Sequence, residues 1–221
     1  MINVLYEDNH VLCVEKPVNV PSAPDESKDE NMLDMCREYI REKYHKPGNV
    51  YTGLVHRLDR PVGGVMVYAK TSKAASRLSD SVRKHEMKKE YLAVTDGLIP
   101  KDSGTLKDYL VKDAKTNTTR VTDKEHGKYS ELDFQVLERR NGMSLVRVFL
   151  KTGRSHQIRV QFASRGFPLV FDQRYNPRAA KGQIALYAVK LEFPHPTLKT
   201  PVIAECTPPR TQPWNLFEVL Q

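Results

Sequence analysis

Asp59 stands between two arginines in Gly53-Leu54-Val55-His56-Arg57-Leu58-Asp59-Arg60, a few residues ahead of Gly63-Gly64. Neighbouring cations lower a carboxylate's pKa and keep it ionised. An ionised, positioned carboxylate can serve as a covalent nucleophile; the same residues also fit a surface salt bridge. Further on, Lys151-Thr152-Gly153-Arg154-Ser155-His156-Gln157-Ile158-Arg159 sets a glycine and an arginine just ahead of an expected helix. Backbone N–H groups there, with the Arg154 guanidinium, can hold an anion; an ordinary strand-to-helix turn explains the pattern somewhat better on these residues alone. Tyr91 heads the apolar run Tyr91-Leu92-Ala93-Val94, either as a core residue or as a flat face on which a base stacks.

Other chemistries lack their residues. There is no Gly-x-x-x-x-Gly-Lys-Ser/Thr phosphate loop, no Gly-x-Gly-x-x-Gly fingerprint and no Gly-x-Ser-x-Gly elbow. His85-Glu86 has Lys89 where a metalloprotease helix needs its second histidine, and the seven histidines are scattered. Cys13, Cys36 and Cys206 are odd in number and widely spaced, which supports neither a disulfide framework nor a zinc knuckle and predicts three reduced thiols. The expected reaction uses neither a metal nor a nucleotide cofactor.

The elements that must position these residues follow from apolar periodicity. Residues 2–6 and 10–16 read as strands about a turn at Asp8-Asn9, and Pro17, Pro21 and Pro24 break up the loop that follows. Leu33, Cys36 and Ile40 predict a helix over 32–44. Residues 65–69 form a short apolar strand. Thr71-Ser72 offers N-cap chemistry for a helix to about residue 85 that buries Ala75, Leu78 and Val82. Residues 105–150 alternate as a meander, with Leu132, Phe134 and Val136 on one side and a polar loop or mobile hairpin over 112–128. A strand over 145–151 and a helix over 155–165 follow; six of the fourteen prolines lie between 194 and 213 and predict an extended C-terminus.

The chain has 221 residues, 35 Lys+Arg against 27 Asp+Glu, and a formal charge of +8. That balance favours a polyanionic partner without proving one. Residues 70–90 hold seven basic and three acidic side chains, half of the excess, either as a solvated helix face or as one turned to RNA. No apolar run approaches a membrane span, and Met1-Ile2-Asn3-Val4-Leu5-Tyr6 lacks the basic start and apolar stretch of a signal peptide. The protein is expected to be cytoplasmic.

Taken together, these stretches resemble the RluA family of RNA pseudouridine synthases over nearly the whole chain. Val4-Leu5-Tyr6-Glu7-Asp8 and Val14-Glu15-Lys16-Pro17 look like the family's opening hairpin, and His56-Arg57-Leu58-Asp59 like its catalytic signature. Lys89-Glu90-Tyr91-Leu92-Ala93, Gly153-Arg154-Ser155-His156-Gln157-Ile158-Arg159, Asp172-Gln173-Arg174-Tyr175, Leu186-Tyr187-Ala188 and Phe193-Pro194-His195-Pro196 follow in order. Val62-Gly63-Gly64 stands where the family usually has Thr-Ser-Gly. Asn19, Gln161 and Phe171 replace a glycine, a histidine and a glycine. Asn tolerates left-handed backbone, so the turn at Asn19 is expected to survive.

The resemblance implies an α+β fold: a mixed, largely antiparallel sheet with flanking helices in two halves around a central cleft. It implies a single catalytic domain over 1–221, without a separate S4-type RNA-binding domain, acting as a monomer. Asp59 becomes the nucleophile or base at the sugar, Arg154 its ion-pair partner, and Tyr91 the residue against the uracil that assists proton removal at C5. Arg57, placed to fill the gap left by a flipped base, joins His56, Arg60 and Leu186 in holding substrate. Lys73, Arg77, Arg83 and Lys84 become phosphate contacts, which position RNA without reading it. The substrate is a uridine in ribosomal RNA, with transfer RNA also open. A non-catalytic RNA binder and a metal- or carboxylate-dependent nuclease or glycosidase are the competing classes.

Overall fold

A computed structural model describes residues 2–221. Its elements run β1 (Asn3–Glu7), β2 (Val11–Lys16), α1 (Met32–Lys43), β3 (Gly53–Leu54), β4 (Gly63–Ala69), α2 (Ser72–Arg83), β5 (Lys88–Asp96), β6 (Ser103–Asp113), β7 (Thr118–Thr122), β8 (Lys128–Arg140), β9 (Met143–Leu150), α3 (Gln157–Ala163), β10 (Leu186–Pro194) and β11 (Pro201–Glu205), ending in two single 3-10 turns. The fold is α+β, with every strand pair whose register is resolved antiparallel. The chain forms two compact units: one runs to Lys89 and takes back Ala188–Thr207, the other holds Glu90–Tyr187 and Pro208–Gln221. Among the described residues no helix is long and apolar enough to cross a membrane.

In the first unit the strand order is β1-β2-β4-β10, with β11 on β10 and β3 on β4. Asp8 closes the opening hairpin: its Oδ1 accepts the N–H groups of His10 (2.7 Å) and Val11 (2.8 Å). β4 is buried along its whole length, as a central strand covered on both faces should be. Val11 and Cys13, with Val65, Val67 and Ala69, pack on Leu78 of α2 and on Leu191, Phe193, Val202 and Ala204. The alternate residues Leu12, Val14, Met66 and Tyr68 are equally buried, so the period of two puts half of each strand on either side. Both helices carry true N-caps: Asn31 accepts the Asp34 N–H at 3.1 Å and Thr71 the Ala74 N–H at 3.1 Å.

The second unit orders its strands β5-β9-β8-β6-β7. The β8–β9 hairpin turns on Asn141-Gly142, both at positive φ (51° and 75°), the two-residue turn whose twist suits paired strands. Leu132 and Phe134 face inward as expected, and Phe134 meets Phe162 of α3 edge-on at 5.7 Å. Val136 is half-buried.

Of the two forms expected over 112–128, the hairpin is present, between β6 and β7, turned by Asp113, whose Oδ1 accepts the Lys115 N–H at 2.8 Å. Three local expectations change. The helix expected over 155–165 shortens to Gln157–Ala163, because His156 at φ 53° has left-handed backbone and cannot belong to its first turn. α2 turns Ala74, Leu78 and Ser81 fully inward and leaves Ala75 and Val82 as half-buried flanks. The proline-rich C-terminal stretch is extended in β11, which pairs with β10, but not throughout, since Trp214 is buried in a 3-10 turn. All three cysteines are free thiols; Cys13 and Cys36 are buried and Cys206 half-buried.

Candidate active site

The segment that carries Asp59 is a loop between β3 and β4, and the first unit pins it at several points. Leu58 is buried; the Ser22 hydroxyl donates to its carbonyl (2.8 Å) and accepts its N–H (3.1 Å). The Tyr68 hydroxyl in turn donates to the Ser22 carbonyl at 2.7 Å. The Val62 N–H closes a turn on the Asp59 carbonyl at 2.9 Å. Fixed backbone of this kind is what a reacting carboxylate needs, since misplacement by about 1 Å can cost 100-fold in rate.

Beneath the loop lies Lys16, a residue the sequence reading gave no role at the site. Its side chain is fully buried, and its ammonium donates to the carbonyls of Val20 (2.7 Å), Pro17 (2.9 Å) and Arg60 (3.1 Å). Burial pushes its pKa down to about 7, while the Asp59 carboxylate pulls it back up. Asp59, itself half-buried, therefore favours the charged form of the Lys16 side chain in its own unit. A signal was present in the sequence: Leu12, Val14 and Lys16 share one face of β2, and that face is inward.

His56 is buried, and its Nε2 accepts the Val67 N–H at 3.1 Å. Burial, reinforced by the charge of Lys89, holds its pKa well below the usual histidine range, so the ring is neutral with its proton on Nδ1. Arg57 is exposed. Arg60 donates to the Asn19 carbonyl (3.2 Å) and pairs with Asp29, joining the loop to the turn after Pro17. Asn19 takes φ 65°, the left-handed conformation expected there. At Gly64, φ is 119°, and a Cβ would strike the Ala188 main chain, 2.6 Å from its nitrogen; only glycine lets the two strands approach.

In the second unit Tyr91 of β5 and Leu186 at the head of β10 are buried. Arg154 is exposed; its Nε donates to the Tyr129 carbonyl (3.0 Å) and its N–H to Gln157 Oε1 (3.0 Å). Gln157 also donates to the Glu131 carbonyl at 3.1 Å, so the Gly153-Arg154 turn is tied to β8. The same motif holds a second cation to which the sequence reading gave no role. Arg159 is buried and forms a two-pronged ion pair with Asp172, at 2.9 Å and 2.7 Å. Its guanidinium lies over the Tyr175 ring, 5.1 Å from the centroid, and the Tyr175 hydroxyl meets His156 Nδ1 at 2.6 Å. Asp172 follows Phe171, whose φ of 60° suits the glycine usual at that position in the resembling family.

The four helix cations differ. Lys73 and Lys84 are exposed on α2, Arg83 is paired with Asp80, and Arg77 donates to the Pro196 carbonyl at 2.9 Å. A hollow of about 520 Å³ beside them includes Arg77, Lys84, Lys88 and Lys199, but also Asp80, Glu86 and Glu192.

The family described as RNA pseudouridylate synthase matches residues 10–164. The dual-specificity RNA pseudouridine synthase RluA of Yersinia pestis is 31% identical over 92% of this chain and 97% of its own. Ribosomal large subunit pseudouridine synthase C of Escherichia coli is 32% identical over 87% of this chain and 62% of its own, and the Buchnera aphidicola protein of the same name 34% over 78% and 53%. The chain thus spans about half to two thirds of the length of several of these relatives. Among solved structures, human RNA pseudouridylate synthase domain containing 1 superposes with TM-score 0.74 at 25% identity over 96% of this chain and 85% of that one. Human RNA pseudouridylate synthase domain containing 4 gives TM-score 0.79 at 20% identity, over 94% and 89%, and supports the fold. With the loop around Asp59, the supporting hairpin and the α+β fold all in agreement, this chain belongs to the RNA pseudouridylate synthase family.

Proposed function

We propose that this protein isomerises uridine to pseudouridine in structured RNA, with Asp59 as the reacting carboxylate. The observation that carries the reading is the rigid seat of the His56–Arg60 segment, held by Ser22 and Lys16 within a chain of this family. The reaction breaks the N1–C1′ bond of the uridine, turns the uracil, forms the C5–C1′ bond, moves the C5 proton to a base and returns a proton to N1. No electrons are gained or lost, and the chain needs no phosphate donor.

In this reading Asp59 acts at the sugar as nucleophile or base. Tyr91 lies against the uracil and assists removal of the C5 proton, and Leu186 lines the pocket. Arg154 supplies positive charge to the carboxylate. Arg57 fills the space left by the flipped base; flipping costs a few kcal/mol and is cheapest in loops. Arg60 and His56 brace the loop that presents Arg57 and Asp59. Lys73, Arg77, Arg83 and Lys84 contact phosphates. The protein works as a cytoplasmic monomer, on ribosomal RNA in the first instance and transfer RNA in the second, the former being the substrate printed in the names of the Escherichia coli and Buchnera relatives.

Nucleoside analysis of unmodified ribosomal and transfer RNA after incubation with the protein tests this. Pseudouridine without free uracil or strand breaks is expected. Free uracil or cleaved RNA would point to a glycosidase or nuclease instead.

A further inference from the structure

In the first unit, a pocket of about 410 Å³ opens between the end of α1 and the segment that leads into β3. Its rim carries Tyr44, Lys46, Asn49, Tyr51, Lys70 and Asn9, and no acidic side chain. Tyr44 and Tyr51 are 43% and 48% exposed, unusual for rings of this size. Tyr44 is held by a hydrogen bond, and Tyr51 packs on main chain. A Cβ on Gly53 would lie 2.9 Å from the Tyr51 hydroxyl and 3.2 Å from its Cε1, so the ring rests on glycine backbone that leaves room for it. The Tyr44 hydroxyl donates to Glu7 at 2.7 Å, and Lys70 Nζ stands 4.6 Å from its ring centroid.

Glu7 offsets the charge of Lys70, which it holds at 2.7 Å, but not that of Lys46. It is fully engaged by Tyr39, Lys43, Tyr44 and Lys70, whereas Lys46 is exposed and lies 5.7 Å from the Tyr44 centroid. Pre-set aromatic rings beside lysines, with the amide edges of Asn9 and Asn49, match what an unpaired nucleotide offers: a π-face, a phosphate and polar base edges. Rings held in place before binding lose little freedom on stacking. A proline-rich peptide also docks on aromatic grooves, but it would leave the exposed Lys46 ammonium without an anionic partner.

We propose that this pocket is a second RNA contact, which stacks an unpaired base of the substrate strand on Tyr51 and Tyr44 and holds its phosphate at Lys46. The inference rests on the proposed RNA substrate, and its residues are separate from those assigned to Asp59's chemistry. Tyr51 lies five residues ahead of His56, so a strand stacked there is held by the segment that leads into the Asp59 loop.

The test uses the full chain, a short fluorescent single-stranded oligoribonucleotide and a duplex of equal length. Tyr51→Ala and Lys46→Glu are each expected to weaken single-strand binding about ten-fold, with little change for the duplex. Tyr51→Trp is expected to restore it. On ribosomal RNA labelled with tritium at uridine C5, the weakened variants should raise KM by a similar factor and keep kcat. Single-strand affinity that is unchanged in Tyr51→Ala and in Lys46→Glu overturns the pocket, whatever the enzyme does. If Tyr51→Ala fails to fold, the exposed Lys46→Glu decides. Wild-type protein that binds the oligonucleotide but releases no tritium from any RNA overturns the isomerase reading instead, and the titration still decides the pocket.

Discussion

The Lys16 ammonium lies 3.1 Å from the main-chain carbonyl of Arg60, the residue after Asp59. With its bonds to Pro17 and Val20, it fastens the end of β2 to the loop that presents the carboxylate. The arrangement links a strand of the sheet directly to the proposed chemistry, and a charge in a fully buried site has to be matched by such acceptors.

Lys16→Met keeps the stem and removes the three donors. We expect a fall in kcat of about 100-fold with Asp59 intact, since the carboxylate loses its support. A second readout is stability against pH. The folded-state pKa of Lys16 is near 7 and its ordinary value is 10.5, so between these values the unfolded chain binds the proton more tightly and raising the pH stabilises the fold. The stability difference between wild type and Lys16→Met should shift towards wild type from about pH 7 to about pH 9, by on the order of 1 kcal/mol per unit. Urea melts of both proteins at the two pH values measure it.

Gly64→Ala should cost about 3 kcal/mol of stability. The φ of 119° is strained for any side chain, and the new methyl group would meet the Ala188 backbone, which cannot rotate away. Gly142→Ala, with nothing within 4 Å of the new Cβ, tests positive φ alone and should cost less. Thermal denaturation of the two variants separates the terms.

Asp172 and Arg154 should behave oppositely. Asp172→Ala leaves Arg159 as a buried charge without its two-pronged partner, which typically costs about 3–5 kcal/mol. Arg154→Ala removes an exposed side chain that bonds one carbonyl, so stability should change by no more than about 1 kcal/mol. Its effect should fall on turnover. Equilibrium unfolding and initial rates on the same preparations distinguish a structural arginine from one that serves the reaction.

RNA affinity should fall steeply with salt, because phosphate contacts release counterions. Lys73→Ala and Lys84→Ala, both exposed, should each reduce the slope of log affinity against log salt by about 1. Arg83→Ala should reduce it less, since Asp80 already holds that guanidinium. Filter binding over a salt series reads all three.

Much of this architecture is legible in the sequence because it rests on local rules. Thr71 is a cap placed by the pattern that follows it, Leu132 and Phe134 alternate, and Asn19 adopts the conformation its side chain tolerates. Asp59 stood out because two arginines flank it in a motif of known order. What escaped depends on contacts remote in sequence. Lys16 reads as surface charge until the face it shares with Leu12 and Val14 is known to be inward. Arg159 looks like one more helix cation until Asp172, thirteen residues on, is brought against it. The left-handed turn at His156, which shortened α3, has no marker in a side chain that ordinarily favours other backbone.

The most direct test of the central claim is tritium release from RNA labelled at uridine C5, comparing wild type with Asp59→Asn, which keeps the size of the side chain and removes its charge. The account predicts release by wild type, none by Asp59→Asn, and RNA binding by both. Release by Asp59→Asn at the wild-type rate would contradict it, because the carboxylate would then have no part in the chemistry.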